Sequence, residues 1–358
     1  RAGGGSCRCR SGYGAAISCF TSYGPGEMPR PTHLAWLPSL LLVALAVALA
    51  TGGFFLPPVA EGPVAPIGLP DQPPLDEQVS WLELDGAAPV AVTDLMPPRA
   101  PKAWLLFIHG TSLNAGWYRD MARELNTRDI AVRLLDLPGH GRSGGTRGHL
   151  PSSAAIDRFL EKALLTLPDR DVPHYLGGHS LGADVVTRPE LLQRMALAGR
   201  PVSGLLLLAP YLAGADIGVD CPLVCTMNSI NPAGLFVDGY PTIRQNWSFT
   251  GAGRDPLLTD VYDRTLLRRL FSEQPASQRL AALSAPVLAL IGDRDELISA
   301  ARLDRLFATA RPDRGRLTVL ADTDHMGIRT RAVADMGDFI LAQGGPAEPP
   351  PLDRAHPR

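Results

Sequence analysis

The chain has 358 residues, room for one large domain or two small ones, and its 45% hydrophobic content is ordinary for a protein that buries a core. The formal net charge of −2 provides no basic field to gather phosphates, so nucleic acid is not an expected partner. Of the five cysteines, only Cys221 and Cys225 lie outside the N-terminal leader, which excludes a disulfide scaffold. These two could pair in an exported protein or remain reduced.

The first predicted element is an uncharged, apolar stretch at residues 34–56. About 20 apolar residues are enough to cross a bilayer, so the stretch can be a transmembrane anchor or a signal peptide cut near Ala48-Leu49-Ala50. Arginines precede it and the first charge after it is Glu61, which predicts the remaining chain outside the cytoplasm. We therefore expect a membrane-anchored or secreted protein that contacts the membrane through this stretch.

The segments around this stretch and at the end of the chain carry little pattern. Residues 1–33 form a leader, and because Met28 directly precedes a sequence typical of a signal-peptide start, residues 1–27 are hypothesised not to be native. Residues 57–79 are rich in proline and are predicted to form an extended linker. Residues 344–358 are predicted to be a disordered tail.

Between the linker and the tail, residues 80–343 alternate short apolar runs with helix-like stretches. The runs are WLLFIHG, IAVRLLDL, HYLGG, GLLLLAPYL, PVLALIGD and RLTVLA. Uninterrupted apolar runs are typical of parallel strands covered on both faces, and the alternation indicates βαβ crossovers. We predict an α/β domain built on one doubly wound, mostly parallel sheet of about eight strands. The alternation breaks at residues 213–278, which are predicted to form a cap or lid.

Two stretches match the pattern G-x-S-x-G, one centred on Ser180 and the other on Ser143. A nucleophile elbow needs a strand that ends just before the serine and a helix that starts just after it. Ser180 has both, whereas proline and glycine delay the next helix after Ser143. The sequence therefore predicts Ser180 as the nucleophile and Ser143 as a loop serine.

The loop around Ser143 also matches the dinucleotide-binding pattern through Gly139, Gly141 and Gly144. That pattern must open a helix at its last glycine and be followed by an acidic residue after a second strand. Neither condition is met here. We expect no cofactor.

A serine hydroxyl needs a base, and in proteins with such an elbow the chain order is serine, acid, histidine. After Ser180 only His325 and His356 remain, and His356 lies in the predicted tail. His325 follows an apolar strand and is therefore the predicted general base.

The orienting acid should follow the preceding strand, PVLALIGD, where Asp293, Asp295 and Glu296 are all candidates. We choose Asp295. The residues alone do not separate it from Asp293, and either could cap the next helix instead. The oxyanion hole is predicted to use the backbone N–H groups of Leu181, after the nucleophile, and Thr111, after the first parallel strand.

These stretches together resemble the monoacylglycerol lipase and lysophospholipase branch of the α/β-hydrolases. They are HGTS, DLPGHGRSGG, GHSLG, GDRD and the DH pair. The resemblance covers about residues 80–343 and implies the α/β-hydrolase fold with a cap over an apolar acyl pocket. It also implies Asp295 as the acid and a structural role for the loop around Ser143. Two departures are Arg188-Pro189, where proline should kink or restart the helix, and the stretch from Cys221 to Met227.

The predicted function is a carboxylic ester hydrolase that forms an acyl-enzyme with a monoacylglycerol- or lysophospholipid-like ester. The same triad could serve an acyltransferase, a thioesterase or a peptidase, and a catalytically silent, membrane-tethered binding protein on the same fold is the alternative from another class. Metal-dependent hydrolysis is the rival enzyme mechanism, because Asp322, Asp324 and His325 cluster. Zinc sites need several histidines or cysteines at regular spacing, so we expect no metal.

Overall fold

The computed structural model of the protein describes residues 77–84, 86–150, 152–168, 171–212, 227–230, 241–245, 255–264, 274–311 and 315–343. The predicted leader, the apolar stretch at 34–56, the two body cysteines, the tail and most of the linker lie outside these residues. Among the helices that are described, none has the length and apolar character needed to span a bilayer.

Eleven strands occur in the described residues. They are β1 (Glu77–Leu82), β2 (Val90–Leu95), β3 (Ala103–Ile108), β4 (Ile130–Leu135), β5 (His174–His179), β6 (Val202–Leu208), β7 (Met227–Ile230), β8 (Pro241–Gln245), β9 (Val261–Asp263), β10 (Val287–Gly292) and β11 (Gly315–Leu320). Eight of them form one sheet in the order β1-β2-β4-β3-β5-β6-β10-β11. The pairs β1–β2 and β2–β4 are antiparallel and the other five are parallel. The mostly parallel sheet of about eight strands is confirmed.

Helices connect and cover the strands. They are α1 (Arg119–Asn126), α2 (Ser153–Leu165), α3 (Leu181–Val186), α4 (Pro189–Leu197), α5 (Ala276–Ala282), α6 (Ala300–Ala310), α7 (Ile328–Arg331) and α8 (Val333–Ala342), and a 3-10 turn at Ala115–Tyr118 precedes α1. The crossovers place a helical layer on each face of the sheet, so the central strands carry apolar residues on both sides. In β3, for example, Trp104 and Leu106 pack into one layer, while Leu105 and Phe107 pack into the other.

The first strand begins inside the segment predicted as linker. Glu77 starts β1, pairs with Leu95 of β2, and accepts a hydrogen bond from Arg123 at 2.6 Å. The predicted linker boundary at residue 79 is therefore wrong by three residues, because backbone pairing and this buried ion pair hold 77–79 in the sheet.

Within the predicted cap, β7, β8 and β9 form a second, antiparallel sheet of three strands. The end of this segment is attached to the main domain by backbone hydrogen bonds. Thr259 N donates to Ser112 O at 2.9 Å, and Asp263 N donates to Gly148 O at 3.1 Å. A Cβ on Gly148 would lie 1.8 Å from Val261 O, so glycine is required for this approach.

The helix after the elbow restarts at the predicted proline. α3 ends at Val186, and α4 begins with Pro189 at its first position and Arg188 as its N-cap. A first helical residue needs no N–H donor, so proline is accommodated there. The Arg188 Nη1 lies 2.5 Å from Asp157 Oδ1 of α2, which fixes the restart against the neighbouring helix.

Candidate active site

Ser180 lies on a sharp turn between β5 and α3. Its backbone has φ 52° and ψ −118°, a conformation that is strained for a residue with a side chain. A Cβ on Gly178 would lie 2.2 Å from the Gly182 carbonyl carbon, and one on Gly182 would lie 2.3 Å from Ile108 O. Both flanking glycines are therefore required by close backbone approach, and together they present a partly exposed serine at the carboxyl edge of the sheet.

His325 and Asp295 meet at the same edge from two later strands. Asp295 follows β10 and His325 follows β11, and Nδ1 of the imidazole lies 2.8 Å from Oδ2 of the carboxylate. The Asp295 side chain is 0% exposed and that of His325 is 4% exposed. Oδ1 of Asp295 also accepts the backbone N–H groups of Leu297 and Ile298 at 2.9 and 2.8 Å. These two bonds fix the carboxylate so that its other oxygen faces the imidazole.

The other two carboxylates considered for the acid bind backbone amides instead. Asp293 is exposed and its Oδ1 accepts Thr323 N at 3.2 Å, a bond that lowers the pKa of this carboxyl. Glu296 accepts the backbone N–H of His325 at 3.1 Å. A Cβ on Gly292 would lie 1.8 Å from Thr323 O. The loops after β10 and β11 are thus held together, with Asp295 as the carboxylate on the imidazole.

The loop that carries His325 contacts the nucleophile elbow. His179, the residue before Ser180, has its Nε2 3.0 Å from His325 O, and the centroids of the two imidazole rings are 4.8 Å apart. The elbow backbone is itself fixed, because Ser180 N donates to Leu208 O at 2.9 Å. The three residues predicted for catalysis therefore follow strands β5, β10 and β11 at one edge of the sheet, with β6 between the first two.

The two backbone N–H groups predicted for the oxyanion hole belong to segments that meet at this serine. Leu181 is the first residue of α3, where N–H groups have no partner within the helix. Thr111 follows Gly110, on which a Cβ would lie 3.3 Å from the Ser180 Cβ, so the loop after β3 passes directly beside the elbow. The N–H of Gly110 donates to the Tyr118 hydroxyl at 3.0 Å, which leaves Thr111 as the next donor in this loop.

Burial disfavours the charged form of three histidines, two in the loops after β3 and β4 and one at the end of β5. Burial lowers the pKa of His109, and it lowers the pKa values of His140 and His179 well below the usual 6.5. The neighbouring ring of His109 lowers the pKa of His140 further, and that of His325 does so for His179. No fixed positive charge on these rings therefore opposes the charge that a catalytic His325 would acquire.

The second G-x-S-x-G stretch is a closed structural loop. Ser143 is 3% exposed; its hydroxyl donates to Asp136 O at 2.5 Å and accepts Ala91 N at 2.8 Å. A Cβ on Gly141, which has φ 49°, would lie 2.2 Å from the Asp136 carboxyl carbon. The next helix, α2, begins only at Ser153. The loop therefore wraps a buried carboxylate and does not open a helix as a dinucleotide site would.

The cluster considered for a metal is divided among separate partners. Asp322 forms an ion pair with Arg294, and Asp324 accepts Gly327 N at 2.5 Å. His325 contacts Asp295. In the part of the chain that the structure describes, no group of three or more histidines, cysteines and carboxylates has the arrangement of a metal site.

Sequence reasoning missed the roles of Tyr118 and His179 in this site. His179 is the second residue of the GHSLG stretch, and Tyr118 lies in a stretch predicted only as helical. Their hydroxyl–imidazole contact of 2.8 Å joins residues 61 positions apart. Nothing in the local sequence pattern indicates a contact over that separation.

A family profile described as serine aminopeptidase, S33, matches residues 99–329, a span that contains Ser180, Asp295, His325, Thr111 and Leu181. This chain belongs to that family. This α/β-hydrolase is 29% identical over 225 residues to a monoacylglycerol lipase of Mycolicibacterium smegmatis, an alignment that covers 57% of this chain and 74% of that protein. It is 30% identical over 143 residues to a monoglyceride lipase homolog of monkeypox virus, which covers 35% of this chain and 52% of that protein.

Solved structures of α/β-hydrolases share the fold. A soluble variant of monoglyceride lipase from Saccharomyces cerevisiae superposes with a TM-score of 0.56 at 15% identity, covering 75% of this chain and 96% of that one. The monoacylglycerol lipase of Paleococcus ferrophilus gives 0.52 at 19% identity, covering 70% of this chain and 99% of that one. The predicted α/β-hydrolase fold is confirmed.

Proposed function

We propose that this α/β-hydrolase cleaves carboxylic esters through an acyl-enzyme on Ser180. The observation that carries the proposal is the buried contact of 2.8 Å between His325 Nδ1 and Asp295 Oδ2, beside a strained elbow serine. A serine becomes a useful nucleophile only when a base accepts its proton, and the imidazole is oriented for that task by a fixed carboxylate.

In the first half of the reaction, Ser180 Oγ attacks the carbonyl carbon while its proton passes to Nε2 of His325. Asp295 accepts the Nδ1–H bond and stabilises the imidazolium that forms. The carbonyl oxygen becomes an oxyanion, and the N–H groups of Thr111 and Leu181 donate to it. Each such donor is worth about 3 to 4 kcal/mol of transition-state stabilisation.

The ester C–O bond then breaks, the alcohol leaves with the proton from His325, and the acyl group stays on Ser180. A water molecule then attacks the acyl carbon and gives its proton to the same Nε2. The carboxylic acid leaves and Ser180 regains its proton, so the enzyme returns unchanged. If an alcohol replaces the water molecule, the same steps give acyl transfer. If the leaving group is an amine, they give peptide cleavage.

The proposed substrate is a monoacylglycerol- or lysophospholipid-like lipid ester. The names of the relatives support it, since the one from Mycolicibacterium smegmatis is called a monoacylglycerol lipase and the one from monkeypox virus a monoglyceride lipase homolog. The family description names aminopeptidases, so peptide amides are the competing substrate class.

We further propose that residues 34–56 bring the enzyme to a membrane or export it, with the catalytic domain outside the cytoplasm. The support is the uncharged length of this stretch and the arginines before it. Fractionation of cells that express the natural gene, with and without residues 34–56, tests it. Equal recovery in the cytosolic fraction of both forms would contradict the proposal.

Ester hydrolysis by Ser180→Ala and by the unaltered protein tests the proposed reaction. We expect kcat on a short p-nitrophenyl ester to fall by about three orders of magnitude or more. Assays with p-nitrophenyl esters of increasing chain length, with a monoacylglycerol and with an aminoacyl p-nitroanilide then define the substrate class. A rate that does not rise with acyl length would contradict the lipid assignment, and faster anilide cleavage would favour a peptidase.

A further inference from the structure

A buried tyrosine links the loop of the oxyanion hole to the nucleophile elbow. Tyr118 ends the 3-10 turn before α1 and is 1% exposed. Its Oη lies 3.0 Å from Gly110 N and 2.8 Å from Nδ1 of His179. The residues that follow these two partners are Thr111 and Ser180. One hydroxyl therefore contacts the immediate neighbours of a proposed oxyanion donor and of the proposed nucleophile.

The connection continues to the loop of the general base. Nε2 of His179 lies 3.0 Å from the carbonyl oxygen of His325, and the imidazole is 1% exposed. Gly110, Tyr118, His179 and His325 thus form a continuous hydrogen-bonded chain, called here the relay. It joins the loop after β3, the elbow after β5 and the loop after β11.

The direction of each hydrogen bond in the relay follows from its chemistry. A carbonyl oxygen can only accept, so Nε2 of His179 must carry a hydrogen. Burial, with the neighbouring His325, holds the pKa of His179 well below its usual value, so the ring is neutral and Nδ1 is a bare acceptor. Burial also raises the pKa of Tyr118, which keeps its proton and donates it to Nδ1. The lone pairs of the hydroxyl accept the Gly110 N–H.

We propose that Tyr118 and His179 are positioning residues that set the distances between the oxyanion donors, the nucleophile and the general base. The inference rests on the proposed function of Ser180. Neither side chain belongs to the proposed set of reacting groups; each acts through its hydrogen-bond partners. Catalytic groups must be held within about 0.5 Å of their productive positions, and a displacement of 1 Å can cost about 100-fold in rate.

The neutral state of His179 is part of this role. The ring lies against that of His325, which becomes an imidazolium while the tetrahedral intermediate forms. A second positive charge there would oppose that step. A buried histidine whose two nitrogens are both engaged supplies rigidity without charge, which a lysine or arginine at the same place would not.

Tyr118→Phe, with Tyr175→Phe as a matched control, tests the proposal. Tyr175 is also fully buried, and its hydroxyl donates at 2.9 Å to Ile340 O in α8, a helix that carries no proposed catalytic group. We expect Tyr118→Phe to lower kcat by about 10- to 100-fold with KM changed by less than about 3-fold. Tyr175→Phe should leave kcat within about 2-fold although it also loses a buried hydrogen bond. Equal kcat for both variants would overturn the proposal.

A second pair of variants separates the loss of hydrogen bonds from a loss of folding. His179→Gln keeps one acceptor and one donor, while His179→Leu keeps neither. We expect the glutamine variant to retain a kcat at least about 10-fold above that of the leucine variant when both melt cooperatively. If leucine supports the same kcat as glutamine, the histidine only fills space and the proposal is wrong.

Nitrogen-15 NMR of the unaltered protein tests the direction of the relay. The expected signature is a neutral His179 with hydrogen on Nε2 and no titration between pH 5 and pH 8, whereas hydrogen on Nδ1 would contradict the relay. Failure of the proposed function is distinguishable, because the unaltered protein would then show no Ser180-dependent hydrolysis at all. If only the relay proposal is wrong, Tyr118→Phe keeps the Ser180-dependent hydrolysis of the unaltered protein.

Discussion

Ser180 and Ser143 lie in stretches that match the same five-residue pattern, but the fold places them in opposite environments. Ser180 is partly exposed at φ 52°, between a buried strand and a helix N-terminus. Ser143 is buried, and its hydroxyl both donates and accepts a hydrogen bond within its loop. The glycines serve close backbone approach in both stretches. The strand before and the helix directly after Ser180 therefore distinguish the proposed nucleophile from a structural serine.

The largest expected effect is at Asp295, the carboxylate that contacts the proposed general base. The buried carboxylate of the Ser143 loop, Asp136, accepts backbone N–H groups instead. Asp295→Asn should lower kcat by about 10³- to 10⁴-fold, because the amide keeps an acceptor for Leu297 and Ile298 but turns a donor toward the imidazole and favours the wrong tautomer. Asp293→Asn, at an exposed position that accepts only backbone amides, is the control and should change kcat by less than about 3-fold. Steady-state ester kinetics measure both, and equal losses would contradict the assignment of the acid.

A smaller effect, on stability alone, is expected at the second serine. Ser143→Ala leaves the buried Ala91 N–H without its acceptor and should lower the free energy of unfolding by about 1 to 3 kcal/mol. Because Ser143 is outside the proposed site, kcat should stay within about 2-fold. Urea unfolding and ester kinetics on the same preparation measure the two quantities. A large loss of kcat with an unchanged free energy of unfolding would contradict the structural role of Ser143 and indicate that it takes part in catalysis.

A third expected effect is a pH dependence of stability that both regions share. The pKa values of His109, His140 and His179 are lowered by burial, so the folded state binds fewer protons than the unfolded state below the unfolded pKa of 6.5. Stability from these groups is fully present above pH 6.5 and falls as the pH drops, by at most about 1.4 kcal/mol per pH unit for each.

Urea unfolding at pH 7.5, 6.0 and 5.0 measures this loss. Asp129 and Asp293 have lowered pKa values, and the stability they contribute is lost only as the pH falls below about their usual 3.8, outside this range. An unchanged free energy of unfolding from pH 7.5 to pH 5.0 would show that the buried histidines can be protonated in the folded protein.

Much of the sheet could be predicted because its parallel strands are buried on both faces. The six apolar runs in the sequence correspond to β3, β4, β5, β6, β10 and β11. The antiparallel strands β1 and β2 were not predicted as separate elements, since β1 includes exposed positions such as Trp81 and lacks a continuous apolar run. The three strands in the cap were not predicted, because their Gly- and Pro-rich surroundings show no regular alternation of apolar and polar residues.

Site residues could be predicted where their order along the chain constrains them. Contacts between residues far apart in the sequence could not. Ser180 has a local context, and His325 was selected because one other histidine follows the elbow. Asp295 was chosen with help from a family resemblance, because three carboxylates follow β10 and only their side-chain directions distinguish them. The contact of the Tyr118 hydroxyl with His179 depends on how α1 and its preceding turn pack against the sheet, which no local pattern encodes.

The most direct test of the central claim is the site of covalent labelling. The unaltered protein is treated with a fluorophosphonate, digested, and its peptides are mapped by mass spectrometry. We expect one adduct on the peptide that contains Ser180, no adduct on the peptide that contains Ser143, and no labelling of Ser180→Ala. An adduct on Ser143, or undiminished labelling of Ser180→Ala, would contradict the assignment of the nucleophile.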